Sequence, residues 1–407
     1  MPDLTKTLWW QNETTVNLSW DANLKVGNQK SARCLEDGSV ILGNWKVISP
    51  EKYLQYLLHL MIQHDSSDIY FTYWEEPAIR VYGDVHRLTT VPKLEDATLE
   101  AIADILMSDD DRACFEENLS CDIWYSIHER RYRVNISRQR GHKMIVARLL
   151  AEKVPTIDDL WLPPIFKTLT KKTNWIVFVA GATWSGKSTT LAAMIEEINN
   201  ERSCHVITIE DPIEYIFDPK KAIFEQKQLD KDVISFSSAM KYAMRQRPDV
   251  ILFWEARDPE SLRHAIALAE TGHLVLTTIH SRSAEQTINK IISMFPVDEQ
   301  PTIKNQISEN LTAIIVQRLI KKTNWKWVVT AHEILLNNAA VENTIRENKM
   351  NQLKNVMYTY RSSWMCLLED DLLRLVVEWE ISPEVAMFNA NDRDAMKRWL
   401  SELKMNM

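Results

Sequence analysis

The stretch Trp175–Leu191, WIVFVAGATWSGKSTTL, is the part of the chain from which the fold can be read. An apolar, β-branched run breaks at Gly181-Ala182-Thr183-Trp184-Ser185-Gly186-Lys187-Ser188, and good helix formers follow. Strand, glycine-bearing loop and helix in this order make a phosphate-binding loop. Successive backbone N–H groups of such a loop wrap phosphate oxygens, and the helix N-terminus adds partial positive charge. Gly181, Thr183, Ser185, Gly186, Lys187, Ser188 and Thr189 are therefore the candidate nucleotide-binding residues, with Lys187 reaching the β/γ-phosphates and Ser188 holding Mg²⁺. Trp184 does not suit this loop, because a large side chain is hard to place in so tight a turn.

Outward from this stretch, strands and helices alternate. The pattern predicts strands at 175–180, 205–209, 250–253 and 274–279 and helices at 187–199, 235–246 and 259–270. Such alternation specifies an α/β core with a mainly parallel sheet, whose ligands bind at the carboxyl ends of the strands. Acidic and histidine residues follow three of these strands: Glu210-Asp211-Pro212-Ile213-Glu214, Trp254-Glu255-Ala256-Arg257-Asp258 and His280. Nucleotide hydrolysis needs orientation and charge neutralisation more than covalent help. Glu255, Glu210 and His280 are thus the candidate catalytic residues, and Glu255 is a candidate for the Mg²⁺ shell together with Ser188.

Upstream, residues 1–47 are polar without sustained periodicity and are expected to form an irregular leader. From Glu51, apolar residues recur at helical spacing after Ser49-Pro50, a good helix entry. Runs at 68–72 and 78–81, helices near 94–107 and 110–118, and a hairpin of 122–127 with 131–136 complete an α+β domain over 48–150. The prolines at 155, 163 and 164 mark a linker over 151–165, the core runs from 166 to 335, and a helical region fills 336–407. Arg130, Arg131, Arg133, Arg138 and Arg140 gather on the hairpin and its exit; their planar guanidinium groups suit phosphate oxygens, and Arg133 is the candidate contact.

The 407 residues carry a formal net charge of −8, which provides no overall basic field for nucleic acid. Five cysteines are scattered without a CxxC pair, against a disulfide framework or zinc site and for a reducing compartment. No apolar run approaches the roughly 20 residues that span a bilayer, and the N-terminus lacks the basic, apolar, small-residue order expected of a signal peptide. The expectation is a cytoplasmic protein that meets the membrane only through partners.

Four motifs in order, VAGATWSGKSTTLAAM, ITIEDPIEY, RPDVILFWEARD and LAETGHLVLTTIHSRSAEQTINKI, resemble the Walker A loop, Asp box, Walker B motif and His box of the secretion-type ATPases. The chain is most similar to the PilT-type pilus-retraction ATPases over about residues 50–390. That resemblance implies a PAS-like N-terminal domain before a RecA-like core, ATP and Mg²⁺ as ligands, and a homo-hexameric ring. It also implies work on type IV pili through an inner-membrane platform protein and other pilus machinery, at the inner face of the membrane. By motif, Lys187 and Ser188 bind phosphate and Mg²⁺, Glu210 belongs to the Asp box, Glu255 is the Walker B acid, His280 belongs to the His box, and Arg133 senses phosphates. A related secretion or pilus-assembly ATPase is the alternative. The family's AIRNLIRE segment departs here to Ala340-Val341-Glu342-Asn343-Thr344-Ile345-Arg346-Glu347, with Glu342 in place of the first arginine.

Glycine and tryptophan depart most. The chain has 8 Gly and 15 Trp, whereas average usage gives roughly 28 Gly at this length. Trp74, Trp161, Trp175, Trp184, Trp254, Trp364 and Trp379 stand where turns, caps or the phosphate loop call for glycine, and such ATPases typically carry it there. The expectation is that these positions are UGA codons read as glycine in the cell. If Trp184 and Trp254 are genuine, the chain is instead a catalytically silent ring subunit.

Overall fold

The computed structural model describes residues 33–42, 46–81, 83–127, 130–150, 152–323 and 328–406. The chain forms two units, Met1–Leu149 and Leu150–Met407.

The first unit begins with short strands β1 (Arg33–Cys34), β2 (Val40–Leu42) and β3 (Lys46–Ile48), which form a three-stranded sheet. Most of the expected leader lies outside the described residues. Where it is described, it is not irregular: Cys34 and Val40 are buried in the core of this unit. Two- and three-residue strands are too short to establish a period in the sequence. Helix α1 (Pro50–Gln63) starts where Ser49 caps it and buries Tyr53, Leu54, Leu57, Leu58 and Met61. There follow β4 (Asp68–Phe71), β5 (Ala78–Val81), β6 (Asp84–Arg87), α2 (Asp96–Leu106), α3 (Asp109–Asn118), β7 (Ser120–Ile127), β8 (Arg130–Gln139) and β9 (His142–Leu149). The six strands β4–β9 make an antiparallel sheet of order β6-β5-β4-β9-β8-β7.

The second unit contains α4 (Ile165–Thr170), β10 (Trp175–Ala180), α5 (Lys187–Glu201), β11 (His205–Glu210), β12 (Ile223–Gln228), α6 (Phe236–Ala243) and β13 (Val250–Phe253). It continues with α7 (Pro259–Glu270), β14 (Leu274–Ile279), α8 (Ala284–Ser293), α9 (Gln300–Asn310), β15 (Leu311–Lys321) and β16 (Val328–Leu336). Helices α10 (Ala339–Arg346), α11 (Leu353–Thr359), α12 (Leu368–Val377), α13 (Pro383–Asn389) and α14 (Arg393–Asn406) close the chain. The sheet order is β12-β11-β13-β14-β10-β15-β16, parallel throughout except for β16. This is the mixed α/β arrangement expected from the alternation, and it is RecA-like as the resemblance implies.

Successive side chains of β10 divide between the two faces, as strand geometry requires. Ile176 and Phe178 join one hydrophobic core, Val177 and Val179 the other. Both faces are covered, so β10 and β13 read as unbroken apolar runs and β14 as one interrupted only by Thr277 and Thr278. Within the expected linker, the described residues 152–165 do not behave as a plain linker: Ile157 and Leu162 are buried with Phe166. The prolines at 163 and 164 lead into α4 rather than keeping the chain extended, because proline is tolerated at a helix start.

Six of the seven tryptophans singled out by composition have left-handed backbone: Trp74 (φ 60°), Trp161 (53°), Trp175 (75°), Trp184 (68°), Trp364 (70°) and Trp379 (61°). Trp254 is the exception. It is not among the left-handed residues and packs half-buried against the core.

Candidate functional site

Strand β10 ends at Ala180, and the chain turns through Gly181 into a loop that closes on the N-terminus of α5. Gly181 is required by space. A Cβ there would lie 2.4 Å from Ser185 Oγ and 2.6 Å from the backbone carbonyl of Gln317. Gly186, at φ 82°, caps α5 in the left-handed conformation, which glycine adopts without a steric cost. Thr183 is exposed on the loop, Ser185 is buried, and Ser188 and Thr189 lie half-buried in the first turn of α5. Thr189 accepts a hydrogen bond from Tyr215 Oη at 3.2 Å.

Lys187 is buried, and its Nζ donates to the carbonyls of Gly181 (3.1 Å) and Ala182 (2.8 Å). Burial lowers its pKa, while Glu255 and Glu214 push it back up. The ammonium thus lies over the loop with only backbone oxygens as hydrogen-bond acceptors, poised to exchange them for stronger, charged ones.

Sheet order decides which strand-end residues meet. Because β13, β14 and β10 are successive neighbours, the residues that follow them form one row. His280 Nε2 is 3.4 Å from Glu255 Oε1, and its Nδ1 is 3.2 Å from the Gly181 carbonyl oxygen. His280 therefore joins the buried carboxylate of Glu255 to the phosphate loop. Arg257 holds the other side of Glu255, Nε to Oε2 at 2.7 Å, and approaches Asp211 at 3.7 Å. Lys290 Nζ donates to the His280 carbonyl at 3.0 Å.

Glu210 ends β11, the strand next to β13 on its other side. Its Oε1 accepts from Thr208 Oγ1 at 2.7 Å and from Gln226 Nε2 at 3.4 Å. Burial pushes its pKa up from 4.5 to about 7. Burial likewise raises Glu333, on β16, to about 7. A carboxyl raised in the folded state supports folding fully below its unfolded pKa, and that support is lost as pH rises through about 7. Thermal stability should therefore fall between pH 5 and pH 8. Glu210→Gln should flatten that fall by on the order of 3 kcal/mol while lowering turnover; an unchanged pH slope of the melting temperature contradicts the assignment.

Arg133 lies in the first unit, on β8. There its Nη2 pairs with Asp122 Oδ2 at 2.9 Å.

One residue of this site carried no signal in the loop motif. Gln317, fully buried on β15, donates through Nε2 to the Ser185 carbonyl at 2.6 Å and so braces the loop from the neighbouring strand. Among the described residues, neither its Oε1 nor Ser185 Oγ, both buried, has a hydrogen-bond partner. Gln317→Leu keeps the volume but removes the donor. It should weaken nucleotide binding by about tenfold, the equivalent of one lost buried hydrogen bond, and titration calorimetry measures it. Affinity within twofold of the parent would show that the brace is idle.

The residues fit a magnesium nucleotide. Gly181 leaves open a cradle that any Cβ would fill, and Ser188 supplies a half-buried hydroxyl in the first turn of α5. Among the described residues no group of three or more His, Cys, Asp or Glu converges to hold a metal ion. A cation bound by phosphates, water and one or two protein oxygens needs no such cage.

Residues 48–383 match the type II/IV secretion system protein family. The chain belongs to that family. It is 39% identical over 331 residues to the type IV pilus retraction ATPase PilT of Pseudomonas aeruginosa, covering 81% of this chain and 96% of that protein. It is 38% identical over 321 residues to a twitching motility protein of Neisseria gonorrhoeae, covering 79% and 86%. A solved structure of the pilus retraction motor PilT with bound ADP superposes with a TM-score of 0.78 at 36% identity, covering 84% of this chain and 98% of that one. Among the described residues no helix of this secretion-family chain is long and apolar enough to cross a membrane.

Proposed function

We propose that this chain is an ATP-hydrolysing motor that works as a homo-hexamer and powers type IV pilus retraction. Membership of the secretion family and likeness to PilT along nearly its whole length support the ATPase activity. The observation that carries the site is the contiguous set of Lys187 on the phosphate loop, His280 against Gly181, and Glu255 against His280.

In this reading the loop amides of Gly181–Ser188 wrap the phosphates and Lys187 turns its ammonium from the loop carbonyls to phosphate oxygens. Ser188 and Glu255 would hold Mg²⁺, which would supply charge neutralisation. Glu255 orients the attacking water and accepts its proton. His280 transmits the position of that carboxylate to the loop, and Glu210 borders the water from the next strand. Arg133 remains the candidate arginine for sensing phosphate. The motor acts at the cytoplasmic face of the inner membrane, on the pilus platform protein and its associated machinery.

A second reading, a motor for secretion or pilus assembly, draws on Glu342. It stands where the family's segment has arginine and forms a local i,i+4 pair with Arg346 at 2.9 Å on α10. Restoring twitching to cells that lack their retraction motor tests the first reading. Rescue of secretion or pilus extension without retraction would favour the second. The silent-subunit reading is tested by nucleotide binding to the chain with Trp184 and Trp254, compared with its Trp184→Gly, Trp254→Gly form.

A further inference from the structure

We infer that positions 74, 161, 175, 184, 364 and 379 of the working protein are glycine, encoded by UGA, and that Trp124 and Trp399 are genuine tryptophans. The inference rests on backbone geometry and burial and not on the ATPase reading.

Among the described residues, twelve positions other than glycine have positive φ, and six of them are tryptophan. Three of the remaining six are Asp65, Asp230 and Asn348, whose short polar side chains tolerate the left-handed region. A bulky aromatic residue has no such compensation. All six described glycines, Gly38, Gly83, Gly141, Gly181, Gly186 and Gly272, also have positive φ. The six tryptophans share the backbone signature of the glycines.

Local hydrogen bonds make the comparison sharper. Helix α7 ends in a Schellman motif, in which Gly272 N–H donates to the Ala269 carbonyl and His273 N–H to the Leu268 carbonyl. The same paired bonds end α1 at Asp65 and α10 at Asn348. They end α12 at Trp379, which donates to Val376 while Glu380 donates to Leu375. They also close the helical turn at Trp161, which donates to Asp158 while Leu162 donates to Ile157. The left-handed residue of this motif is usually glycine, sometimes asparagine. Trp74 is the third residue of a turn closed by Glu75 N–H to the Thr72 carbonyl, a position where positive φ calls for glycine. Trp364 is the left-handed cap after a short 3₁₀ turn, and Trp184 lies within the phosphate loop.

Burial agrees. The six side chains are between 37% and 91% exposed, so none gains the buried area that normally justifies a tryptophan. Trp124 and Trp399 differ on both counts. They are half-buried, have no positive φ, and lie under the guanidinium groups of Arg131 and Arg361, respectively. Trp254 shares neither the left-handed backbone nor the exposure, and this geometry does not assign it.

Peptide mass spectrometry on the protein from its own cells, together with its coding DNA, tests the inference. Glycine at all six positions, with tryptophan at 124 and 399, is the expected result. Tryptophan at any of the six, a UGG codon at any of them, or glycine at 124 or 399 overturns it. Expressed in a standard host, the six-glycine full chain should melt about 10 °C or more above the all-tryptophan chain, whereas Trp124→Gly should lower the melting temperature. Equal melting of the first pair would refute the backbone argument independently of any nucleotide assay.

Discussion

Lys187→Ala removes ATP turnover, with kcat/KM expected to fall at least about 10³-fold and nucleotide affinity to fall with it. The reason lies in where the chain holds this ammonium. It is buried, its Nζ bonds the Gly181 and Ala182 carbonyls, and its charge is sustained against burial by Glu255 and Glu214. Phosphate oxygens offer the same donor charged acceptors, each such bond contributing about 1.5–3 kcal/mol. Two of them account for about three decades in rate. Phosphate release and calorimetric titration of the full chain measure the effect, with circular dichroism to show that the fold persists. Turnover within tenfold of the parent would remove Lys187 from the machinery.

Glu255→Gln separates chemistry from binding. The carboxylate is buried between Arg257 and His280. The amide keeps its size and can still accept from Arg257, but it no longer takes a proton from water. We expect kcat to drop by about 10²–10⁴-fold, the usual contribution of a positioned general base, with nucleotide affinity within a few-fold of the parent. Loss of binding in parallel with kcat would instead make Glu255 a structural support of the loop. The two variants are expected to show different failures: loss of the lysine in nucleotide binding, loss of the glutamate in activation of water.

How much of this site was legible in the chain follows from sequence separation. Gly181, Gly186, Lys187 and Ser188 lie within eight consecutive positions, so their spacing alone reports a loop that wraps phosphate. Glu210, Glu255 and His280 were legible as strand-end residues because β10, β11, β13 and β14 are buried on both faces and read as short runs rich in apolar and β-branched residues. Strand β12 was not, since its side chains are mostly half-exposed and polar. Strand β9 also escaped: it closes a tight hairpin with β8 at Arg140-Gly141, but its other edge is set by long-range pairing with β4. The helical turn at 157–161 was hidden behind prolines that signal a break locally and are accommodated at the start of α4.

The sequence by itself determined the α/β class, the phosphate loop, the acids at the strand ends and the anomaly of too much tryptophan for too little glycine. These are local or compositional properties, written in periods of a few residues or in counts. Only the tertiary structure decided that His280 bridges Glu255 to Gly181, because that contact depends on β14 lying between β13 and β10. It alone placed Gln317 under Ser185, across 132 positions of sequence. It alone divided the tryptophans as well. Composition cannot tell an indole that packs from one attached to a backbone only glycine adopts without strain, whereas φ and burial can.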